Sequence, residues 1–316
     1  MKKKYIILVA FAMTISLSGC YDLDRVPADQ LSSKQFYKNE EHAKEAMMAV
    51  YSQMQNDNVF GLQFSMDGLG GIAMGYDPPS YQTFQRGTYD VKNDWVLNKW
   101  KNLYEGIARA NGVLQNVDRC QMADELKVQY KAEAKFMRAL YYFTLMDFFG
   151  GVPIYDESVV VSKSYNDMKN AREPIEKVRE FVLKDLAEAI DKLPEAWDKT
   201  NYGRATKYAA IALTGKVYLY AKEYQKALDS FKQVVASGKY ALYDDYAGLF
   251  KPGGDESSEM IFAIQNMGGV GTDHGMPMNF YMGTRESYGS CWNNVMVSPY
   301  FVDTYDTFSH KLYCFL

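Results

Sequence analysis

YKAEAKFMRALYYFTLMDFFGGVP, residues 130–153, is the stretch whose reading decides the fold. Apolar groups at Tyr130, Ala134, Met137, Leu140, Tyr141, Leu145 and Phe148, with the Thr144 methyl, recur at the three-and-four spacing of one α-helical face. From Phe136 onward the opposite face is apolar too, through Ala139, Tyr142, Phe143 and Met146. A helix that is apolar all round has to be covered on most sides. The stretch therefore predicts a central helix over 124–149 on which other helices pack. Gly150-Gly151 stop it, and Val152-Pro153 impose an extended exit.

The flanking segments supply the cover. Asn39 caps a helix whose first turn carries Glu40 and Glu41, as the helix dipole favours. Its stripe is Ala43, Ala46, Met47, Val50, Tyr51 and Met54. Residues 93–117 form a second helix, with Val96, Trp100, Leu103, Tyr104, Ile107, Ala110, Asn111 and Leu114 on one face. Glu173-Pro174 opens a third, Pro standing where its missing N–H costs nothing, with Ile175, Val178, Val182, Leu186, Ala189 and Leu193 as its stripe. Thr206 caps a helix through Ala221, and a break at 222–224 leads to another from Gln225 that ends at Ser237-Gly238. This pair, within residues 205–238, resembles a tetratricopeptide repeat. Gly215, Tyr218, Ala227 and Phe231 keep its small, aromatic, small and aromatic spacing. One hairpin cannot bury both faces, so the other helices must stack on it as divergent repeats. The expected fold is mainly α: a tetratricopeptide-like helical hairpin scaffold with long loops and a little β in the C-terminal part.

Residues 56–92 carry Gly68, Gly70, Gly71, Gly75, Pro78 and Pro79 and read as an irregular surface loop of the kind that bears binding groups. Gly68, Gly70 and Ala73 fit G-x-G-x-x-A, but that motif needs a strand before it and a helix after it, and these flanks are loop-like. After Gly238 the chain becomes loop-rich, through 239–316. Residues 259–265, EMIFAIQ, read as a strand or a short apolar extended run. Residues 266–298 are rich in Gly, Met and aromatics, and His274 there reads as incidental.

Lys2, Lys3 and Lys4 followed by an apolar run over 5–17 form an export signal, too short for a membrane span. Leu17-Ser18-Gly19-Cys20 resembles the lipobox of bacterial lipoproteins, which are cut before the Cys and lipidated on it. Acyl chains at about 0.8 kcal/mol per buried CH2 suffice for stable anchoring. The expected organisation is a signal peptide over 1–19, a lipidated Cys20 and tether over 20–38, and a helical domain over 39–316. Loss of the three lysines takes the formal charge from −4 to −7, which excludes nucleic acid as a partner. Cys120, Cys291 and Cys314 show neither CxxC nor metal-ligand spacing; they read as free thiols, with one long-range disulfide as the alternative.

Trp95 and Asn98 fall off the stripe of their helix and are near neighbours at i and i+3. A tryptophan outside the core beside an amide suits a sugar: the ring stacks on the apolar face of a pyranose and the amide reads hydroxyls. The alternative packs Trp95 beneath the preceding Gly-rich segment, and periodicity leaves both open. G-x-S-x-G, H-E-x-x-H and phosphate-loop patterns do not occur, and no pair of acids is placed distinctively for glycan hydrolysis. The expectation is a binding protein, not an enzyme, without cofactor or metal.

Residues 100–117 (WKNLYEGIARANGVLQNV), 133–155 (EAKFMRALYYFTLMDFFGGVPIY), 203–242 and 257–265 (SSEMIFAIQ) together carry a resemblance to the SusD/RagB family of outer-membrane nutrient-binding lipoproteins. Arg138, Gly150-Gly151 and Arg204-Ala205-Thr206 are among the matching details. The resemblance implies a surface-exposed protein that is anchored in the outer membrane by its lipid and captures glycans without catalysis. It implies a SusC-like TonB-dependent transporter as partner. In the family an aromatic arc carries starch-like glycans, including a Trp and an Asn three residues later; Trp95 and Asn98 match that spacing, and Arg86, Tyr288 and Trp292 are further glycan-binding candidates. Family members usually continue well past the point where this sequence ends in TFSHKLYCFL, so a C-terminally truncated or naturally short member is expected. Truncation would put glycan binding in doubt and leave the fold. The competing functions are a surface glycan-degrading enzyme and a helical-repeat interaction protein.

Overall fold

The computed structural model describes residues 36–61, 64–75, 79–159, 170–251, 253–269, 272–274 and 295–304. In chain order the helices are α1 (Glu40–Ser52), α2 (Phe64–Leu69), α3 (Pro79–Arg86), α4 (Asp94–Asn116), α5 (Asp124–Phe149), α6 (Ile175–Lys192), α7 (Lys207–Tyr220), α8 (Tyr224–Ala236) and the short α9 (Pro299–Val302). The strands are β1 (Ala73–Gly75), β2 (Met267–Gly269), β3 (Thr272–His274) and β4 (Val295–Val297). They form two antiparallel pairs, β1 with β4 (Ala73 opposite Val297) and β2 with β3 (Met267 opposite His274). Among the described residues no helix is long and apolar enough to cross a membrane.

α1, α4 and α7 start where side chains satisfy their free N–H groups. Asn39 Oδ1 accepts from His42 N at 3.0 Å, and Thr206 Oγ1 accepts from Ala209 N at 3.1 Å. The residues ahead of α1 pack as well: Tyr37 is buried, and Phe36 stacks on His42 with ring centroids 5.1 Å apart.

α5 is the centre. Tyr130, Ala134, Phe136, Met137, Tyr141, Tyr142 and Leu145 are all buried, under α1 and α4 on one side and α6 on the other. α4 runs antiparallel to α5, as Trp100 against Phe149 and Tyr104 against Tyr142 show. α6 is again antiparallel, with Phe181 edge-on to Tyr142 at 5.2 Å. At the exit of α5, Gly150 has φ +70°, the left-handed region that glycine enters freely. Gly151 passes so close to Glu173 that a Cβ would strike its carbonyl oxygen.

The α7–α8 hairpin is built as its spacing predicts. Ala227 is buried, and a Cβ on Gly215 would lie 2.6 Å from the Phe231 ring, so glycine there permits the close approach. Close helix approach recurs between α4 and α5, where the Tyr141 ring lies against Gly106.

Several expectations need correction. The described parts of 56–92 are not a loop: they hold the turn Asp57–Gly61, α2, β1 and α3. In the G-x-G-x-x-A stretch, Gly68 lies in α2 and Ala73 opens β1, a helix followed by a strand, which is the reverse of the dinucleotide order. Residues 259–265 do not form a strand. Ile261, Phe262 and Ile264 pack onto the core instead, with Phe262 edge-on to Phe136 at 5.0 Å. Phe148, read as part of the buried stripe, is 39% exposed and meets the Lys99 ammonium. Two charged residues of the same helix, Glu133 and Arg138, are buried. The Cys120 thiol is free and buried, and burial pushes its pKa up; Cys20, Cys291 and Cys314 lie outside the described residues.

Candidate functional site

The start of α4 is held from two directions. Asn93 Oδ1 accepts from the backbone N–H of Trp95 at 3.0 Å and of Val96 at 3.4 Å, which caps the helix. Its Nδ2 donates to Thr83 Oγ1 at 2.9 Å and ties the cap to α3. Trp95 and Asn98 stand on the first turns of this anchored helix, and both are half-buried. Arg86 is exposed in the last turn of α3, one turn beyond Thr83, so the same contact brings it to this end of the molecule. Trp95, Asn98 and Arg86 are thus gathered at one end. Tyr288 and Trp292 lie outside the described residues; Val295, just after them in the chain, pairs with Gly75 of β1. Trp100 points inward, edge-on to Phe149 at 5.1 Å and tilted on Tyr104 at 5.0 Å.

Beneath Trp95 and Asn98 lies a group of amides that the helical stripe does not reveal. Asn102 Nδ2 donates to the Asn98 carbonyl at 2.8 Å, and Gln53 Nε2 donates to the Asn102 carbonyl at 2.9 Å. Asn56 Nδ2 reaches Asn102 Oδ1 at 3.4 Å. Lys99, one residue on from Asn98, is buried and donates through Nζ to the Val59 carbonyl at 2.9 Å. It also lies 4.5 Å from the centre of the Phe148 ring. Burial pushes the Lys99 pKa down to about 8, and the Asp147 carboxylate opposes that only in part. Together these bonds lock the 53–59 turn onto α4. The sequence signal for them is the amide-rich run Gln55-Asn56-Asp57-Asn58 and the i, i+4 pair Asn98 and Asn102.

Two further polar clusters are structural. Arg138 donates through Nε and Nη2 to Asp185 at 2.7 and 2.8 Å, and through Nη1 to Asn111 at 2.7 Å and Glu157 at 2.5 Å. Glu133 receives both Arg204 (Nε to Oε2, 2.9 Å) and the Tyr51 hydroxyl at 2.8 Å, while Tyr51 accepts from Ala205 N–H at 2.9 Å. Among the described residues, no cluster of His, Cys, Asp and Glu is arranged to hold a metal ion.

The family of SusD-like proteins described as "Starch-binding associating with outer membrane" matches residues 23–219. The chain belongs to the SusD-like family. A SusD-like protein of Formosa agariphila, P25, is 26% identical over 322 residues, which cover 95% of this chain and 59% of that protein. The starch-binding protein SusD of Bacteroides thetaiotaomicron is 26% identical over 223 residues, 66% of this chain and 37% of that protein. A laminarin-binding SusD-like protein of known structure superposes with a TM-score of 0.76 at 26% identity, over 84% of this chain and 64% of its own. The chain spans 59%, 50% and 60% of the length of three SusD-like relatives it matches. The helix-rich architecture is that of SusD-like structures, and the tetratricopeptide-like hairpin fits it.

Proposed function

We propose that this protein is a surface lipoprotein, held to the outer membrane through acyl chains on Cys20, that binds a glycan chain and hands it to a SusC-like TonB-dependent transporter. The observation that carries the reading is the placement of Trp95 with Asn98 on a helix start pinned by Asn93 and Thr83, outside the core that Trp100 fills. An indole can stack on the C–H side of a pyranose, and it loses little conformational freedom when it does so. The Asn98 amide and the Arg86 guanidinium supply the directional contacts that hydroxyls need. Ring, amide and guanidinium bind without driving a reaction, since glycoside hydrolysis requires two positioned carboxyl groups. Membership of a family described as starch-binding, and likeness to a laminarin-binding structure, support a glycan as the ligand. Tyr288 and Trp292 are retained as further contacts.

The test is Trp95→Ala on the mature protein, titrated against a panel of soluble glycans by calorimetry. The expected outcome is at least a tenfold loss of affinity, about 1.4 kcal/mol, with an unchanged Tm. A large fall in Tm with binding intact would return Trp95 to the core, and loss of glycan length on incubation would replace binding with hydrolysis.

A further inference from the structure

We propose that the glycan-binding surface continues from Trp95 across the end of the helix stack, over the exposed rings of Phe148 and Tyr220 with Asp147 and Lys216 beside them, and takes the further units of a long neutral glycan. This rests on the glycan reading above and extends it to residues on two other helices.

The topology makes the juxtaposition. α4 runs antiparallel to α5, and α7 runs alongside α5 in the same direction, with Tyr130 beside Arg204 at one end and Phe143 beside Tyr220 at the other. The start of α4 and the ends of α5 and α7 therefore share one end of the stack. Trp95 and Lys99 are i, i+4 neighbours on α4, and Lys99 lies 4.5 Å from the centre of the Phe148 ring. One turn earlier on α5, Phe143 meets Tyr220 edge-on with centroids 5.4 Å apart. The Lys216 ammonium is 5.6 Å from the first of these rings and 5.7 Å from the second. Asp147, next to Phe148 and one turn on from Phe143, is exposed; desolvation raises its carboxyl pKa, and the Lys216 and Lys99 ammonium groups oppose that.

Phe148 is 39% exposed and Tyr220 is 53% exposed, so neither ring is spent on the core. Asp147 accepts no hydrogen bond from any described residue, which leaves its oxygens open to hydroxyl donors. The mixture decides the occupant. An apolar partner helix laid on these rings would strip water from a carboxylate and an ammonium without pairing them, which is costly. A sugar chain stacks on the rings through its C–H faces and donates hydroxyls to the carboxylate.

The experiment compares affinity for short and long oligosaccharides from one glycan that wild type binds, laminarin being tried first, in wild type, Tyr220→Ala, Tyr220→Phe, Phe148→Ala and Trp95→Ala. Wild type is expected to bind the long chain at least tenfold more tightly than the short one. Tyr220→Ala and Phe148→Ala should keep the short-chain affinity and the Tm but lose most of the long-chain advantage, and Tyr220→Phe should retain it. Equal affinity for short and long chains in wild type, or a full advantage remaining in both alanine variants, overturns the extension while leaving Trp95 in place. Trp95→Ala that binds short chains like wild type overturns the Trp95 site instead. Failure of wild type to bind any glycan of the panel overturns both.

Discussion

Replacing Arg138 with Leu tests how the scaffold is held. The guanidinium is buried and makes two charge-assisted bonds to Asp185, whose side chain is 3% exposed, one to Asn111 and one to Glu157. In the native protein burial pushes the Asp185 carboxyl up, and Arg138 pulls it back through those bonds. Without Arg138, burial acts almost alone. Asp185 then either stays charged in a dry site or takes up a proton far above its ordinary pKa. Breaking a buried pair from one side costs about 3–5 kcal/mol. Glu157 adds little, because its side chain is 42% exposed and water replaces the lost partner. Against a typical total stability of about 5–15 kcal/mol, the loss is a third or more. Urea unfolding followed by far-UV circular dichroism reads it as a lower midpoint at an unchanged slope. Arg138→Leu with Asp185→Leu should regain most of the loss, since apolar replacement of a whole buried pair is often neutral. A single variant within about 0.5 kcal/mol of wild type, the range of ordinary surface changes, would refute the reasoning. So would a double variant as unstable as the single one.

Gly215→Ala places a methyl 2.6 Å from the Phe231 ring and should cost about 1–3 kcal/mol by overpacking, read as a lower Tm; recovery by adding Phe231→Leu identifies the contact. Lys99 has its pKa pushed down to about 8 from 10.5, so the folded protein holds fewer protons than the unfolded chain between those values. Stability should rise with pH across that window by up to about 1.4 kcal/mol per unit relative to Lys99→Met, and parallel pH curves for the two proteins would contradict this.

The long helices were legible through their apolar stripes, and two of them also through their caps, Asn39 and Thr206, which bond as their residue types predict. What failed to show were features whose partners are remote in sequence. The ion pairs of Glu133 and Arg138 are invisible in the helical stripe, because their partners Arg204 and Asp185 lie 71 and 47 residues away. Residues 56–92 read as loop because glycine and proline dominate the pattern, but Pro79 stands at the start of α3, where a missing N–H is harmless, and Gly68 falls inside the short α2. Residues 259–265 are apolar because they cover Phe136, a reason that carries no secondary-structure period. At the candidate site, Trp95 and Asn98 were visible as departures from a stripe. Lys99 was not, because its contacts, the Asn58 and Val59 carbonyls and the Phe148 ring, come from other elements.

The buried charges of α5 sit on the helix but reach segments that lack regular structure. Arg138 reaches Glu157 in the connector after α5, which is also fastened by Tyr104 to the Pro153 carbonyl at 2.7 Å and by Asn111 to the Tyr155 carbonyl at 3.0 Å. Glu133 holds Arg204 in the turn before α7, and Tyr51 accepts from Ala205 beside it. These segments have no ladder of their own, so their backbone position depends on directional contacts with the helices. Apolar pairs would fill the same volume without specifying where the connector lies. The Arg138→Leu, Asp185→Leu double variant separates the two roles: global stability returns, while amide protection over 151–159 stays below wild type because Glu157 has lost its anchor. Full protection there would mean that the uncharged contacts, from Tyr104, Asn111, Gln115 and Tyr142, place the connector and that the buried charge adds nothing to it.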